Sequence, residues 1–447
     1  MREARFTDGR VTDLGIADLF TRRHRWRVWL AVEGALAQAE ADLGMIPAAA
    51  GPAIASARDR VDLDRVAERV ARSSHPLAGL ISELTETVGP PLDAWVHWGA
   101  TTQNITQTGD TVLVHRAHRI LLGELAAILG SAADLAERTA EVVLPGRTHG
   151  QHAVPTTYGF IVATWLDELV RHGERLRAIE PRVFVATVGG AIGTFASFGE
   201  RGPEVQAAVA ERLGLRSSPL PARTALDPLV EYVSLLAMLA ATVGRIGRAI
   251  AVGMQPEFGE VAEPQGDEVV GSSTMPHKRN PQLCADLIAI SARIRALVPL
   301  ALDGLQGDHE ADASAEAVVT DAVIQACTLI AAALPRLRVV VAGLTVDADR
   351  MRANLDLSAG LTRSEAVMLC LGRLIGRQPA HEIVREVART ASETGASFAD
   401  ALAADPRVTA HLNPAELLAA APDTGLSAQI AREQAARARE CAVALTA

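Results

Sequence analysis

The stretch LVEYVSLLAMLAATVGRIGRAIAVGM, residues 229–254, sets the fold class of this 447-residue chain. It is apolar on nearly every side, but Glu231, Arg245 and Arg248 leave an uncharged run that is too short to cross a bilayer. A helix that is apolar all round belongs inside a helical assembly. The segment therefore predicts a buried helix at the centre of a bundle.

Helical periodicity continues on both sides of this segment. Shorter helices are expected in the first hundred residues, beginning with one over 26–43, and strand signals are weak. Because the chain is too long for one compact core, we expect three parts. These are an N-terminal helical domain (1–105), a central bundle (106–345) and a small C-terminal helical domain (346–447). The prediction is an all-α protein whose bundle contains long helices over 105–143, 155–179, 225–255, 281–302 and 315–344.

Composition narrows the classes of partner. The net charge is -10 and only 3% of the residues are aromatic, so the core must consist mainly of Ala, Leu, Val and Ile. The acidic balance argues against nucleic acid or an anionic membrane as the main partner. The polar start MREARFTDGR does not resemble a signal peptide, and the four scattered cysteines fit reduced thiols. We therefore expect a cytoplasmic protein.

Three polar segments interrupt the helices, and each borders a long one. We call them the first segment (HWGATTQNITQT, 97–108), the second segment (GRTHGQHAVPTT, 146–157) and the third segment (GSSTMPHKRNP, 271–281). In an antiparallel bundle, alternating helix ends lie far apart, so these segments need not meet within one subunit. They can meet when subunits associate, which predicts an oligomer.

The third segment puts basic side chains into an acidic protein. Asn280 and Pro281 suit the start of a helix, whose free N–H groups and positive dipole end would form an anion site beside Lys278. Three interpretations are open from these residues alone: a loop that only caps a helix, a phosphate loop, and a carboxylate site with a serine base. The phosphate-loop pattern GxxxxGK[ST] is absent.

The carboxylate interpretation has a definite chemistry. Removing a proton next to a carboxylate places a second negative charge on that group. Preorganised donors would stabilise this intermediate by about 3–4 kcal/mol each. A serine is normally too weak a base, so it needs an electropositive setting in order to act as an alkoxide.

The third segment resembles the signature loop (263–281 here) of the fumarase/aspartase superfamily. The first and second segments, and TVGGAIGTFASFG at 187–199, resemble further regions of that family in the same order. The His-Lys-Arg-Asn variant is most similar to the branch of adenylosuccinate lyase and 3-carboxy-cis,cis-muconate cycloisomerase. The resemblance implies three mainly helical domains, a homotetramer, and active sites shared by three subunits. It also implies no metal or organic cofactor, and elimination beside a carboxylate that usually releases fumarate.

The resemblance also assigns roles to individual residues. Ser272, with Ser273 as its alternative, takes the Cβ proton, and His149 protonates the leaving group. Structural explanations compete at several positions, because threonines at 101 and 102 suit helix caps and a histidine before proline is often only packed or exposed. The remaining residues expected to bind substrate are Thr101, Thr102, Gln103, Thr148, Gln151, Lys278, Asn280, His75 and, more weakly, Arg25.

The chain departs from adenylosuccinate lyases in three places that carry cationic or hydrogen-bonding groups there. It has TALDP at 224–228, ASAEA at 313–317 and SEA at 364–366. A buried phosphate needs such partners, so nucleotide binding is disfavoured, although Arg223 and Arg363 lie nearby. Carboxymuconate cycloisomerases commonly have tryptophan where this chain has His149.

These features predict a lyase that breaks a C–N bond in a small dicarboxylate such as nitro- or aminosuccinate. One such lyase would resemble a nitrosuccinate lyase. Adenylosuccinate lyase, carboxymuconate cycloisomerase and a non-catalytic structural scaffold are the alternatives. The intact set of Ser272, Lys278, Asn280 and His149 argues against the scaffold, because a silent protein could lose any of them without harm to its fold.

Overall fold

A computed structural model describes residues 5–266, 269–415 and 422–447. Parts of the predicted signature loop (267–268) and of the predicted terminal domains (1–4 and 416–421) therefore lie outside the described residues. The α-helices are α1 Ile16–Leu19, α2 Arg22–Asp42, α3 Ala50–Ala57, α4 Leu63–Ser73, α5 Ala78–Val88, α6 Thr102–Arg138, α7 Tyr158–Val183, α8 Gly202–Leu213, α9 Asp227–Gly253, α10 Gln282–Arg295, α11 Leu297–Asp303, α12 Ala313–Gly343, α13 Ala348–Asp356, α14 Ser364–Ile375, α15 Arg377–Thr394, α16 Phe398–Ala404, α17 Pro406–Thr409 and α18 Ser427–Thr446.

The all-α prediction is confirmed, and the long helices lie where periodicity predicted them. One predicted helix, 281–302, is instead two helices, α10 and α11, which meet at Ala296. The strands among the described residues form three two-stranded sheets. These are β1 Val143–Thr148 with β2 Gln151–Thr157, β3 Val185–Ala186 with β4 Arg216–Ser217, and β5 Val261–Ala262 with β6 Thr345–Val346.

The β1–β2 hairpin corrects the expectation that helix begins at Pro155. His149 and Gly150 have φ values of 52° and 76°, and Thr148 pairs with Gln151 across them. Positive φ at both central residues is the geometry of a type I′ turn, whose twist matches that of the strands. Helix α7 starts only at Tyr158, where the Thr157 hydroxyl accepts a hydrogen bond from the N–H of Phe160 at 3.3 Å.

The bundle is built from α6, α7, α9, α10, α12 and α18, whose inward faces form the largest hydrophobic core. Helices α9 and α12 are long and apolar enough to span a membrane, but each contributes many buried side chains to this core. A second core lies among α2 to α5 and α8, and a third, small core lies among α14 to α17. The last helix, α18, joins the bundle by packing on α6 and α7. The domain borders near 105 and 345 stay predictions.

Candidate active site

The first and second segments lie at opposite ends of α6. The helix has 37 residues, which corresponds to a length of about 55 Å at 1.5 Å per residue. The first segment forms its start, and the second follows its end in the β1–β2 hairpin. The third segment lies at the end of the bundle that carries the β1–β2 hairpin. Glu260, shortly before this segment, forms an ion pair with Arg147 of β1 at 2.6 Å. One subunit therefore does not bring all three segments together.

Local contacts organise the start of α6. Thr101 and Asn104 form a reciprocal capping box, so the Thr101 hydroxyl is occupied in capping the helix. The Asn104 side chain also donates to the carbonyl oxygen of Thr187 at 2.8 Å, which ties the first segment to the 187–199 region. Thr102 and Gln103 are half-exposed and follow directly. Their roles in substrate binding stay predictions.

His97, the first residue of the first segment, is anchored to α2. Its Nδ1 lies 2.7 Å from Glu33 Oε1 on α2, and its φ is 60°. Burial disfavours the charged imidazole, but the neighbouring Glu33 carboxylate outweighs this effect and raises the pKa of His97 above its ordinary value. The pair joins the N-terminal core to the turn that leads into α6.

Arg25 is held by protein groups. Its guanidinium makes two hydrogen bonds to the Asp110 carboxylate on α6, at 2.6 and 3.0 Å, and lies 5.1 Å from the centre of the Trp29 ring. Burial raises the pKa of Asp110 despite this pairing. The contacts account for Arg25 as an α2–α6 link, and its role in substrate binding stays a prediction.

His75 has a structural contact that the sequence did not indicate. Its Nδ1 accepts hydrogen bonds from the N–H groups of Ala78 at 2.9 Å and Leu77 at 3.2 Å, where α5 begins. This bonding requires an unprotonated Nδ1, so it fixes the tautomer of a neutral ring with a proton on Nε2. Because the residue is exposed, that Nε2–H is available to a ligand or to another subunit.

The second segment presents its predicted site residues at the tip of a rigid hairpin. Thr148, His149 and Gln151 are all exposed. The hairpin is anchored through Arg147, which makes two hydrogen bonds to the buried Glu260 at 2.6 and 3.0 Å. A second anchor joins His152 Nδ1 to the Ser358 hydroxyl at 2.7 Å. His149 is therefore exposed at the tip of an anchored hairpin.

The two serines of the third segment differ in their contacts. The Ser272 hydroxyl accepts hydrogen bonds from the N–H groups of Met275 at 3.1 Å and Thr274 at 3.4 Å. Across the described part of the chain, the Ser273 hydroxyl has no such contact. Lys278 is exposed on the same loop. These donors would stabilise negative charge on the Ser272 oxygen.

The predicted cap and anion site at the start of α10 are wrong. Asn280 does not cap the helix, because its side chain donates to the carbonyl oxygen of Gly271 at 2.6 Å. The helix N–H groups of Leu283 and Cys284 donate to the carboxylate of Glu263, at 3.1 and 3.0 Å. The buried Glu263 carboxylate thus occupies the position where an anionic ligand was predicted. No local signal revealed it, because Glu263 lies about twenty residues earlier in the chain.

Two of the three places that depart from adenylosuccinate lyases, 224–228 and 313–317, meet at the end of the bundle where the first segment lies. Arg223 and Glu316 line one cavity of about 80 Å³, together with Gln107 and Asp110 of α6. The Arg223 guanidinium donates to the carbonyl oxygen of Ala191, and Gln107 donates to the carbonyl oxygen of Arg223 at 3.1 Å. Burial raises the pKa of Glu316. The cavity has two arginines, and both are engaged, because Arg182 also lines it and forms an ion pair with Glu231 at 2.6 Å. Two carboxyl groups and two engaged arginines make a poor phosphate site.

Comparison with known proteins agrees with this arrangement. Residues 12–296 match the protein family described as Lyase, and residues 360–438 match the family described as Adenylosuccinate lyase C-terminus. The chain belongs to the fumarase/aspartase superfamily. It is 36% identical over 383 residues to an N-acetyl-S-(2-succino)cysteine lyase of Dickeya dadantii, covering 85% of this chain and 84% of that protein.

Other members of the superfamily show the same breadth of likeness. A 3-carboxy-cis,cis-muconate cycloisomerase of Pseudomonas aeruginosa is 40% identical over 404 residues, covering 89% of this chain and 88% of the relative. The crystal structure of a fumarate lyase from Mesorhizobium sp. BNC1 superposes with a TM-score of 0.88 at 31% identity, covering 95% of this chain and 98% of that one. Membership of the superfamily makes the protein a lyase-type enzyme, and its relatives include both eliminating and cycloisomerising enzymes.

Within residues 5–266, 269–415 and 422–447, no group of three or more His, Cys, Asp or Glu side chains is arranged to hold a metal ion.

Proposed function

We propose that this protein is a lyase that eliminates the Cα substituent of a small substituted succinate and releases fumarate. Ser272, as the alkoxide, takes the Cβ proton. The Cα–substituent bond then breaks, its electron pair leaves with the substituent, and His149 supplies a proton where the leaving group needs one. Lys278 and Asn280 bind the carboxylate that carries the extra negative charge of the intermediate.

The observation that supports this proposal most directly is the environment of the Ser272 hydroxyl. It accepts two backbone N–H hydrogen bonds and lies on a loop with His277, Lys278 and Arg279. Hydrogen bonds to the charged form of a group favour that form, so the alkoxide becomes less costly here than on a free serine. Ser273 lacks these contacts among the described residues, which favours Ser272 as the base.

We also propose that three subunits of a homotetramer complete each active site. The length of α6 separates the first segment from the second, and His149 is exposed at the tip of its hairpin. Apolar side chains that remain exposed on the bundle, such as Met238 and Val252 of α9, support association through this face. The first segment of each active site then comes from a different subunit than the second.

The leaving group is proposed to be small and attached through nitrogen, as in nitro- or aminosuccinate. The cavity lined by Asp110, Arg182, Arg223 and Glu316 supports the exclusion of a nucleotide phosphate, because protein groups already engage both arginines. Retention of His149, an acid suited to a departing amine, supports elimination over cycloisomerisation. A nitrite leaving group would make less demand on this acid.

A second candidate substrate carries a thioether. The relative from Dickeya dadantii is named as a lyase of N-acetyl-S-(2-succino)cysteine, and the likeness covers most of both chains. Elimination of a thiol from a succinyl thioether uses the same Cβ proton and the same dianionic intermediate. Only the pocket for the leaving group differs, so both substrates belong in one experiment.

The test is fumarate release, followed by ultraviolet absorbance. The panel is nitrosuccinate, aspartate, malate, argininosuccinate, adenylosuccinate and N-acetyl-S-(2-succino)cysteine, with consumption of 3-carboxy-cis,cis-muconate as a separate assay. Fast release from nitrosuccinate or aspartate supports the C–N proposal. Release only from the thioether replaces it with C–S cleavage, and release only from adenylosuccinate contradicts the phosphate argument. Turnover of the muconate alone would overturn elimination.

A further inference from the structure

An N-terminal arm, residues 5–10, lies against the start of α10. Arg5 forms an ion pair with Asp286 of α10 at 2.5 Å, and the Thr7 hydroxyl donates to the same carboxylate. Asp8 accepts a hydrogen bond at 2.6 Å from Arg336, a fully buried side chain of α12. The arm is thus fastened to the bundle along its whole length, and its last residue, Arg10, is held in a defined position.

Arg10 contacts both ends of the loop that carries Ser272. Its guanidinium donates to the carbonyl oxygen of Pro264, where the loop departs, and to Gln282 Oε1 at 3.3 Å, where the loop returns to α10. It also lies 3.6 Å from Glu263 Oε1. One side chain therefore spans the two ends of the loop.

Glu263 completes the connection. Its side chain is fully buried, and its two oxygens accept the N–H groups of Leu283 and Cys284. Arg10 is the cation that compensates this buried carboxylate. Within the loop, Gln282 donates to the carbonyl oxygen of Val270 at 3.3 Å, and Asn280 donates to that of Gly271. The residues that contact Arg10 thus lead directly to the backbone next to Ser272.

We propose that Arg10 is a positioning residue for the elimination reaction: acting through Glu263 and Gln282, it sets the separation and orientation of the two loop ends and thereby the position of the Ser272 hydroxyl. The inference rests on the proposed function for its kinetic consequence, but the structural link can be tested without a substrate. Arg10 needs no contact with substrate to act in this way.

The main variant is Arg10→Gln, with Arg5→Gln as the matched control. Both arginines belong to the same arm and have similar side-chain exposure, 17% for Arg10 and 20% for Arg5, but the ion pair of Arg5 is with Asp286, inside α10. We expect Arg10→Gln to lower kcat by about tenfold to 100-fold with KM changed less than about threefold, since small misplacements of a reacting group are costly. Arg5→Gln should keep kcat within about twofold, and Arg10→Lys should recover part of the loss.

A double-variant comparison separates positioning from substrate contact. If Arg10 acts through Glu263, adding Arg10→Gln to a Glu263→Gln background should cost less than about threefold further in kcat. If Arg10 binds substrate itself, the full loss should appear in both backgrounds, and the proposal is overturned. An unchanged kcat in folded Arg10→Gln would overturn it as well.

Hydrogen exchange of the substrate-free protein gives the readout that is independent of turnover. Arg10→Gln should speed exchange of the Leu283 and Cys284 amides while α6 and α9 keep wild-type rates, whereas Arg5→Gln should not speed these two amides selectively. Unchanged exchange at Leu283 and Cys284 would refute the link, even if no substrate in the panel reacts. Selective exchange without fumarate release would support the link and count against the proposed function alone.

Discussion

The first and third segments lead into the starts of α6 and α10, and these two helix starts are built in different ways. The start of α6 is stabilised by its own neighbours, because Thr101 and Asn104 cap it within one turn. The start of α10 is stabilised from a distance, because Glu263, 20 residues earlier, accepts its N–H groups and Arg10 compensates the charge. A local cap is supplied by residues of the helix start itself. A remote cap makes the adjoining loop depend on tertiary contacts.

The largest expected effect lies in the chemistry beside α10. Ser272→Ala should lower turnover by at least about 1000-fold, because it removes the proposed base. The melting temperature of the assembly should stay nearly unchanged, since the serine is on a loop. Ser273→Ala is the matched control and should keep most of the activity. A folded Ser272→Ala variant with full rate would remove Ser272 from the mechanism.

The next largest effect is expected when the remote cap, Glu263, is removed. Glu263→Ala leaves the buried N–H groups of Leu283 and Cys284 without an acceptor and Arg10 without its charge partner. We expect a loss of about 3 kcal/mol in the free energy of unfolding, measured by denaturant titration. Glu263→Gln, which keeps one acceptor oxygen, should lose less. Equal midpoints for Glu263→Ala and wild type would show that the cap contributes nothing.

The stability of the core that contains α2 is expected to depend on pH through Glu40. Glu40 is completely buried in α2, neither of its oxygens has a hydrogen-bond partner among the described residues, and burial, followed by nearby Glu33, raises its pKa to about 8. The folded protein then holds a proton that the unfolded chain releases near pH 4.5. Stability should fall as pH rises from about 4.5 to 8 and change little from this group above 8.

Glu40→Gln should remove this dependence. At pH 9 we expect the variant to exceed wild type by at least about 2 kcal/mol in the free energy of unfolding, and below pH 4.5 the difference should vanish. Denaturant titrations at several pH values measure this. A constant difference across the range would mean that folding does not shift the pKa of Glu40.

The smallest effect is expected when the local cap at Thr101 is removed. Thr101→Ala should cost about 1 kcal/mol in stability, the usual value for losing a helix N-cap. Thr101→Ser, which keeps the capping oxygen, is the control and should lose only a fraction of that. If Thr101→Ala instead raises KM strongly with little change in stability, the hydroxyl binds substrate and the comparison between the two helix starts changes.

Much of the fold could be read from local patterns. The long helices follow from apolar periodicity, and the three polar segments were recognised because glycine and hydroxyl residues stand together in each. The hairpin at 143–157 was missed because its prolines and short strands also suit a helix start. Only the paired positive φ values of His149 and Gly150 identify it. The capping role of His75 was missed for a similar reason, since ring orientation depends on the turn that holds it.

By itself, the sequence determined the all-α class, the approximate extents of the bundle helices and the residue types of the candidate site. These properties depend on neighbouring residues, and 3.6-residue periodicity and helix-start chemistry express them directly. Only the tertiary structure decided that a buried Glu263 occupies the start of α10, that Arg10 spans both ends of the Ser272 loop, and that Glu260, shortly before the third segment, pairs with Arg147 of the hairpin. Such contacts join residues that are remote in sequence, and they form only where packing brings charges and free N–H groups out of water together.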